Sequence, residues 1–227
     1  MKLAVLFSGG KDSLLALAKA KESGHNISCL ISMISSNDAS YMFHVPNIQI
    51  TKLQSDALGI PLIQEKTRGE KELELVDLKN AIIRAKNDFN IEGIVTGAIR
   101  SVYQASRVER ICKELDLWCF NPLWLMDQEE LLKEVLARGF KIVISGIFAY
   151  PLTRDFLGSI IDDALIKRLV EFGAKYRLNP AGEGGEIETT VLDSPLFSKR
   201  IEIIDSDILY LNNAGNFFIK KAELVAK

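Results

Sequence analysis

Through the first half of the chain, short runs of consecutive apolar residues alternate with stretches where apolar side chains recur every three or four positions. Leu3–Phe7 is a continuous apolar run closed by Ser-Gly-Gly, the pattern of a strand buried on both faces. From Ser13 to Lys21, the residues Leu14, Leu15, Leu17 and Ala18 share one helical stripe that ends near Gly24. Ile27–Ile34 is a second apolar run, and Pro61–Gln64 is the centre of a third. Ile48–Leu58 has helical spacing and stops at Gly59, a C-terminal helix signal. Leu73–Phe89 turns Leu75, Leu78, Ile82 and Ile83 to one side; Gly93–Thr96 then reads as a fourth strand, and Ser106–Leu115 as a further helix. Such alternation predicts a parallel sheet with helices on both faces, and right-handed crossovers make it a doubly wound α/β domain. Ligands of such sheets bind outside the carboxyl ends of the strands, beside the topological switch point.

The pattern changes near Pro122, where a domain boundary is expected, with residues 1–121 on one side and 122–227 on the other. Beyond it lie a helix at Gln128–Ala137, a strand at Phe140–Ser145 and a helix at Ile160–Phe172. Gly182–Gly185 is a polar, glycine-rich loop that no core-building argument explains. The tail from Lys199 reads as a three-stranded meander of Arg200–Ile204, Ile208–Leu211 and Phe217–Lys220, divided at Asp205-Ser206-Asp207 and at Asn212-Asn213-Ala214-Gly215. This second region is expected to be a smaller α+β domain.

Composition narrows the function classes. With 227 residues the chain can bury a sizeable core without staples, and its net charge of -2 gives no support to a large basic nucleic-acid footprint. Cys29, Cys112 and Cys119 form no C-x-x-C pair, so buried reduced thiols in a cytoplasmic protein are expected, not a disulfide framework or structural zinc. The apolar run Leu3–Phe7 has only five residues, too short for a signal core or a membrane span.

The first chemistry-bearing motif is Ser8-Gly9-Gly10-Lys11-Asp12-Ser13, between the first strand and the first helix. Two glycines let the backbone bring its N–H groups to an anion, and the following helix directs its positive end to the same point. Ser8 and Ser13 add hydroxyls and Lys11 a positive charge, whereas Asp12 is out of place in a pure anion site and suggests a magnesium ligand or a loop-orienting group. The spacing is not that of a Walker A loop. It resembles the SGGxDS motif of the PP-loop, or N-type ATP pyrophosphatase, class, in which the loop holds the pyrophosphate end of ATP while the α-phosphate is attacked.

Three further segments narrow that class. They are Met42-Phe43-His44-Val45-Pro46-Asn47; Gly97-Ala98-Ile99-Arg100-Ser101-Val102-Tyr103-Gln104-Ala105-Ser106-Arg107-Val108-Glu109; and Asn179-Pro180-Ala181-Gly182-Glu183-Gly184-Gly185-Glu186, followed by Glu188-Thr189-Thr190 and Asp193-Ser194-Pro195-Leu196-Phe197. Together with the loop they resemble the diphthine–ammonia ligase family across nearly the whole chain. The resemblance implies ATP-dependent amidation of diphthine, the modified histidine of elongation factor 2. Its carboxylate is adenylated, and ammonia then displaces AMP.

Site residues follow from the residues and the resemblance together. Ser8, Gly9, Gly10, Lys11, Asp12, Ser13 and Gly97 are expected on ATP, with Asp12 also on Mg2+. Glu183, Glu186 and Asp193 are expected to serve the chemistry, binding magnesium, deprotonating ammonium or facing the substrate's trimethylammonium group. His44, Arg100, Tyr103, Gln104 and Arg107 are expected on substrate or leaving group, with Tyr103 and Trp124 as walls for a cation.

The sequence departs from the commoner ligase pattern in carrying Glu188-Thr189 in place of His-Thr, and Asp193-Ser194-Pro195 in place of Asp-Gly-Pro. A catalytic histidine at 188 is therefore excluded. The absence of a glutaminase segment points to free ammonium as the nitrogen source, and the length resembles the compact archaeal form. Membrane and direct nucleic-acid contacts are not expected, and self-association is left open. A tRNA-modifying PP-loop enzyme and a non-catalytic ATP sensor on the same fold are the competing readings.

Overall fold

The computed structural model describes residues 1–35, 46–70 and 72–227. Five parallel strands, β1 (Lys2–Leu6), β2 (Asn26–Ser35), β3 (Leu62–Thr67), β4 (Gly93–Val95) and β5 (Trp118–Phe120), form a sheet in the order β3-β2-β1-β4-β5. The chain reverses direction across the sheet at β1 and β4, which puts the switch point at the carboxyl end of β1. The helices α1 (Lys11–Glu22), α2 (Thr51–Leu58), α3 (Glu74–Phe89) and α4 (Val102–Glu114) supply the crossovers.

Alternation along β1 sorts the two faces. Leu3 and Val5 enter a core with Leu14, Leu15 and Leu17 of α1 and Ala57 of α2. Ala4 enters the opposite core, with Leu75, Leu78 and Ile82 of α3 and Val108 and Ile111 of α4. Both faces of the strand are thus buried, as its continuous apolar run requires. Within the stretch expected as one helix, Ile48–Ile50 is a 3-10 turn leading into α2. Helix α4 begins four residues earlier than its expected start at Ser106, because the Ser101 hydroxyl accepts from the Gln104 N–H and caps it.

The second part contains α5 (Gln128–Ala137), β6 (Lys141–Ile147), α6 (Asp163–Tyr176), β7 (Ile187–Asp193), β8 (Arg200–Leu211) and β9 (Ala214–Val225). Its sheet has the order β7-β6-β9-β8, with each neighbouring pair antiparallel. The tail corrects the sequence expectation: it is two long strands, not three short ones. Asp205-Ser206-Asp207 stays within β8 as an irregularity in its register against β9. Strands β5 and β7 have no counterpart among the expected elements.

One apolar core runs through both parts. It includes Leu14 and Leu17 of α1 together with Ile142 and Ile144 of β6 and Val191 of β7. The second sheet is therefore packed directly onto the first helix. Among the described residues, no helix is long and apolar enough to cross a membrane.

Candidate active site

The loop Ser8–Ser13 leaves β1 and enters α1 at the switch point. Gly9 has φ +80, and the Gln54 Oε1 atom lies 2.4 Å from where a Cβ on it would stand. Gln54, wholly buried on α2, donates to the Gly9 carbonyl and to the Val191 carbonyl, each at 2.8 Å. The Val191 N–H donates to the same Gly9 carbonyl at 3.0 Å. The turn is thus held by α2 on one side and β7 on the other. Gly97, just beyond β4, approaches the first turn of α1 so closely that a Cβ would stand 3.0 Å from the Asp12 carbonyl carbon and from the Ser13 nitrogen. These contacts explain both glycines.

Lys11 is buried. Its ammonium donates to the Asp12 carboxylate at 3.0 Å and to the Ala181 carbonyl at 2.5 Å, while its N–H donates to the Thr189 hydroxyl at 3.2 Å. The phosphate loop and the acidic glycine-rich loop are therefore joined through one lysine. The Ser8 hydroxyl donates to that of Ser13, which donates to the Gly10 carbonyl. The other Asp12 oxygen, Oδ1, is buried with no hydrogen-bond partner among the described residues.

A cavity of about 760 Å³ opens over this junction. Ser8, Gly10, Lys11, Asp12, Ser13, Gly97, Gln104 and Glu183 line it, so eight of the residues expected from sequence converge. Leu6, Phe7, Ile31, Met33 and Val108 form an apolar end beside the first sheet. Strands of the second sheet supply the opposite end.

The two loop glutamates have different surroundings. Glu183 accepts from the Arg100 N–H at 2.8 Å, and burial raises its carboxyl above the usual range against that hydrogen bond. Glu186 is turned into its own loop, accepting from the Asn179 amide at 2.6 Å and from the Gly184 N–H at 2.8 Å. Its geometry is that of a loop brace.

Other expected residues are not brought to the cavity. Asp193 lies at the far end of β7, where it accepts from the Ser194 N–H at 2.8 Å and pairs with Lys227 at 2.7 Å. It stands five positions along the strand from Glu188, about 16 Å at the usual rise. The Arg107 guanidinium lies over the Tyr103 ring, 3.4 Å from its centroid, and pairs with Glu72. The ring face expected to receive a substrate cation is thus covered by a cation of the chain itself. Arg100 reaches the site through its backbone, and neither its side chain nor Trp124 lines the cavity. His44 lies outside the described residues.

Glu188 is the site residue that sequence reasoning passed over. It lines the cavity, half-buried, and burial pushes its carboxyl up to about 7, opposed by the Lys11 ammonium and reinforced by the Asp12 carboxylate. The departure from His-Thr had marked this position, but only the strand places its side chain beside the phosphate loop. The three cysteines are free thiols, and burial pushes Cys29 up to about 12.

A doubly wound α/β sheet with an SGGKDS loop at its switch point, closed by a second, antiparallel sheet, defines a member of the PP-loop class of ATP-binding folds. Two family models match in succession, the diphthamide synthase N-terminal domain over residues 1–118 and the diphthamide synthase C-terminal domain over residues 127–225. The chain belongs to the diphthamide synthase family.

Curated relatives carry the name diphthine–ammonia ligase. That of Homo sapiens is 34% identical over 236 residues, covering 96% of this chain and 88% of its own length. The Schizosaccharomyces pombe protein is also 34% identical over 236 residues, but the chain spans only 39% of it. For Saccharomyces cerevisiae the figures are 28% identity, 90% of this chain and 35% of the relative. A solved structure described as a predicted subunit of a tRNA methyltransferase from Methanocaldococcus jannaschii aligns over 86% of this chain and 98% of its own, with a TM-score of 0.43 and 15% identity. That likeness is too loose to bear on function.

Proposed function

We propose that the protein is a carbon–nitrogen ligase that converts the diphthine carboxylate of elongation factor 2 to its amide, using ATP and ammonium. The observation that carries the reading is the union of the phosphate loop with the acidic glycine-rich loop through Lys11, which puts anion-binding and carboxylate groups in one cavity. The names of the relatives support the same chemistry.

In this reading the N–H groups of the loop and the first turn of α1 hold the β- and γ-phosphates of ATP. The apolar end formed by Leu6, Ile31 and Met33 takes the adenine. The orphaned Oδ1 of Asp12 fits Mg2+, which commonly takes one or two carboxylates together with substrate phosphates. Such an ion neutralises charge on the phosphates.

A carboxylate oxygen of diphthine attacks the α-phosphorus, and pyrophosphate leaves. Ammonium gives up one proton, and the resulting ammonia attacks the acyl carbon, expelling AMP and losing a second proton to leave the neutral amide. Glu183 takes a proton in this reading, which its position in the cavity lining and its raised carboxyl support. Glu186 holds the loop that carries Glu183.

The test is incubation of the protein with diphthine-bearing elongation factor 2, ATP, magnesium and ammonium, the diphthine carboxylate being enriched in heavy oxygen. The acyl-adenylate route leaves the label in AMP. Label in inorganic phosphate, with ADP as co-product, would refute that route; absence of amide in the wild type would refute the ligase assignment.

A further inference from the structure

The wall of the cavity opposite the first sheet is built by the second sheet, with Glu188 at its edge nearest the phosphate loop, and its register explains the composition. Glu188 of β7 pairs with Gly146 of β6, Gly146 with Asn216 of β9, and Asn216 with Leu209 of β8. Residues directly opposite one another project from the same side of a sheet. These four positions therefore make one row across all four strands, on the side that lines the cavity. The neighbouring positions Ile147 and Phe217 turn to the opposite side and are buried in the core.

Two aromatic rings flank that row. Phe218 is two residues beyond Asn216, and Phe148 is two beyond Gly146; both line the cavity and both are 38% exposed. A Cβ on Gly146 would stand 2.8 Å from the Phe148 ring and 3.1 Å from the Glu188 Cβ. The ring and the carboxylate-bearing side chain thus meet over a position where only glycine fits. The groups facing the space are the two rings and the Glu188 carboxylate, for which no hydrogen bond or ion pair occurs among the described residues and which feels the Lys11 ammonium nearby; the Asn216 Oδ1 is closed off from solvent, with no hydrogen-bond partner among the described residues.

We propose that this row is the seat of a quaternary ammonium group, with the Phe148 and Phe218 rings as its walls and the Glu188 carboxylate as its counter-charge. A quaternary ammonium has no N–H to satisfy and binds through methyl contacts, ring quadrupoles and a nearby anion. Primary ammonium or guanidinium groups would demand directed acceptors on every side. The proposal rests on the amidation reading, because diphthine carries such a group. It replaces Tyr103, whose face Arg107 covers, with two rings whose surfaces remain accessible. Seating the cation on the second sheet directs the remainder of the side chain toward Lys11 and the phosphate loop within the same cavity.

The protein is titrated with choline and, separately, with its uncharged tert-butyl isostere, while aromatic ring signals are followed by NMR. Choline is expected to shift the Phe148 and Phe218 signals and to bind at least about tenfold more tightly than the isostere. Phe148→Leu, Phe218→Leu and Glu188→Gln should each weaken choline by about tenfold, with ATP affinity held within a few-fold. On diphthine-bearing elongation factor 2, Phe148→Leu should raise KM by about tenfold with kcat nearly unchanged, and Phe148→Tyr should restore KM. Equal binding of the isostere, or variants that move neither choline affinity nor KM, would overturn the proposal while leaving the ligase reading intact. Choline binding as expected, in a protein that forms no amide, would instead overturn the ligase reading and leave the cation seat standing.

Discussion

Replacing Glu188 with Gln tests whether this carboxylate is kept for function at the expense of stability. An ordinary glutamate titrates near 4.5, whereas Glu188 in the folded protein is raised to about 7. Its folded-state pKa lies above the unfolded one, so the folded state binds the proton more tightly. The wild type is then relatively most stable below pH 4.5, loses stability between 4.5 and about 7, and is level above. At about 1.36 kcal/mol per pH unit, that gap sets an upper limit of about 3 kcal/mol on the penalty of ionising it. Its half-buried position and the water-accessible cavity reduce this to roughly 1.5 kcal/mol. Without ATP, magnesium or substrate, Glu188→Gln should therefore be more stable than wild type at pH 8.5 by about that amount, or about 3–6 °C in Tm. The difference should shrink toward zero near pH 5. Urea unfolding of both proteins at the two pH values measures it. A variant no more stable than wild type at pH 8.5, or a gap independent of pH, would refute the argument, because the carboxylate would then be making favourable contacts that offset its burial.

Three further outcomes follow from the contacts at the phosphate loop. Gly97→Ala places a methyl against the backbone of Asp12 and Ser13, so it should weaken ATP by at least about tenfold in equilibrium binding while changing stability by only about 1–3 kcal/mol. Gln54→Ala removes both bonds by which the Gln54 amide bridges Gly9 and Val191, leaving only their direct backbone bond, and should cost about 2–4 kcal/mol in chemical denaturation, ATP affinity falling in parallel; unchanged stability would contradict the bracing role. Glu183→Gln should lower kcat by about 10²–10⁴ with ATP affinity within a few-fold, whereas Glu186→Gln should loosen the loop and affect KM and stability more than kcat. Steady-state kinetics and nucleotide binding on the same preparations separate the two, and a larger kcat loss at Glu186 would reverse the assignment.

The local pattern of the chain was enough to determine most of the parallel sheet and its helices. A five-residue apolar run followed by Ser8-Gly9-Gly10-Lys11-Asp12-Ser13 and an apolar stripe specifies strand, turn and helix from nearest neighbours alone, and the same logic recovers β2, β3, α3 and α5. The phosphate loop was legible because all six residues are contiguous. The short strand β5 and the acidic strand β7 escaped because neither gives a long apolar or alternating signal. The break expected at Asp205-Ser206-Asp207 did not form, since pairing with β9 outweighs the turn preference of those three residues.

Only the tertiary structure decided which distant side chains share the cavity. Asp193 and Glu188 belong to the same strand, but strand rise carries one to the far end and leaves the other beside Lys11. Tyr103 was a sound cation wall on residue type alone, and Arg107 one helical turn away closes it. Glu183 and Glu186 are alike in sequence, yet the loop's own Asn179 takes up the second and leaves the first facing the cavity. Phe148, Asn216 and Phe218 carry no motif. Their convergence with Glu188 depends on the registers of three strand pairings, and register is a property of the assembled sheet, which no short window of sequence contains.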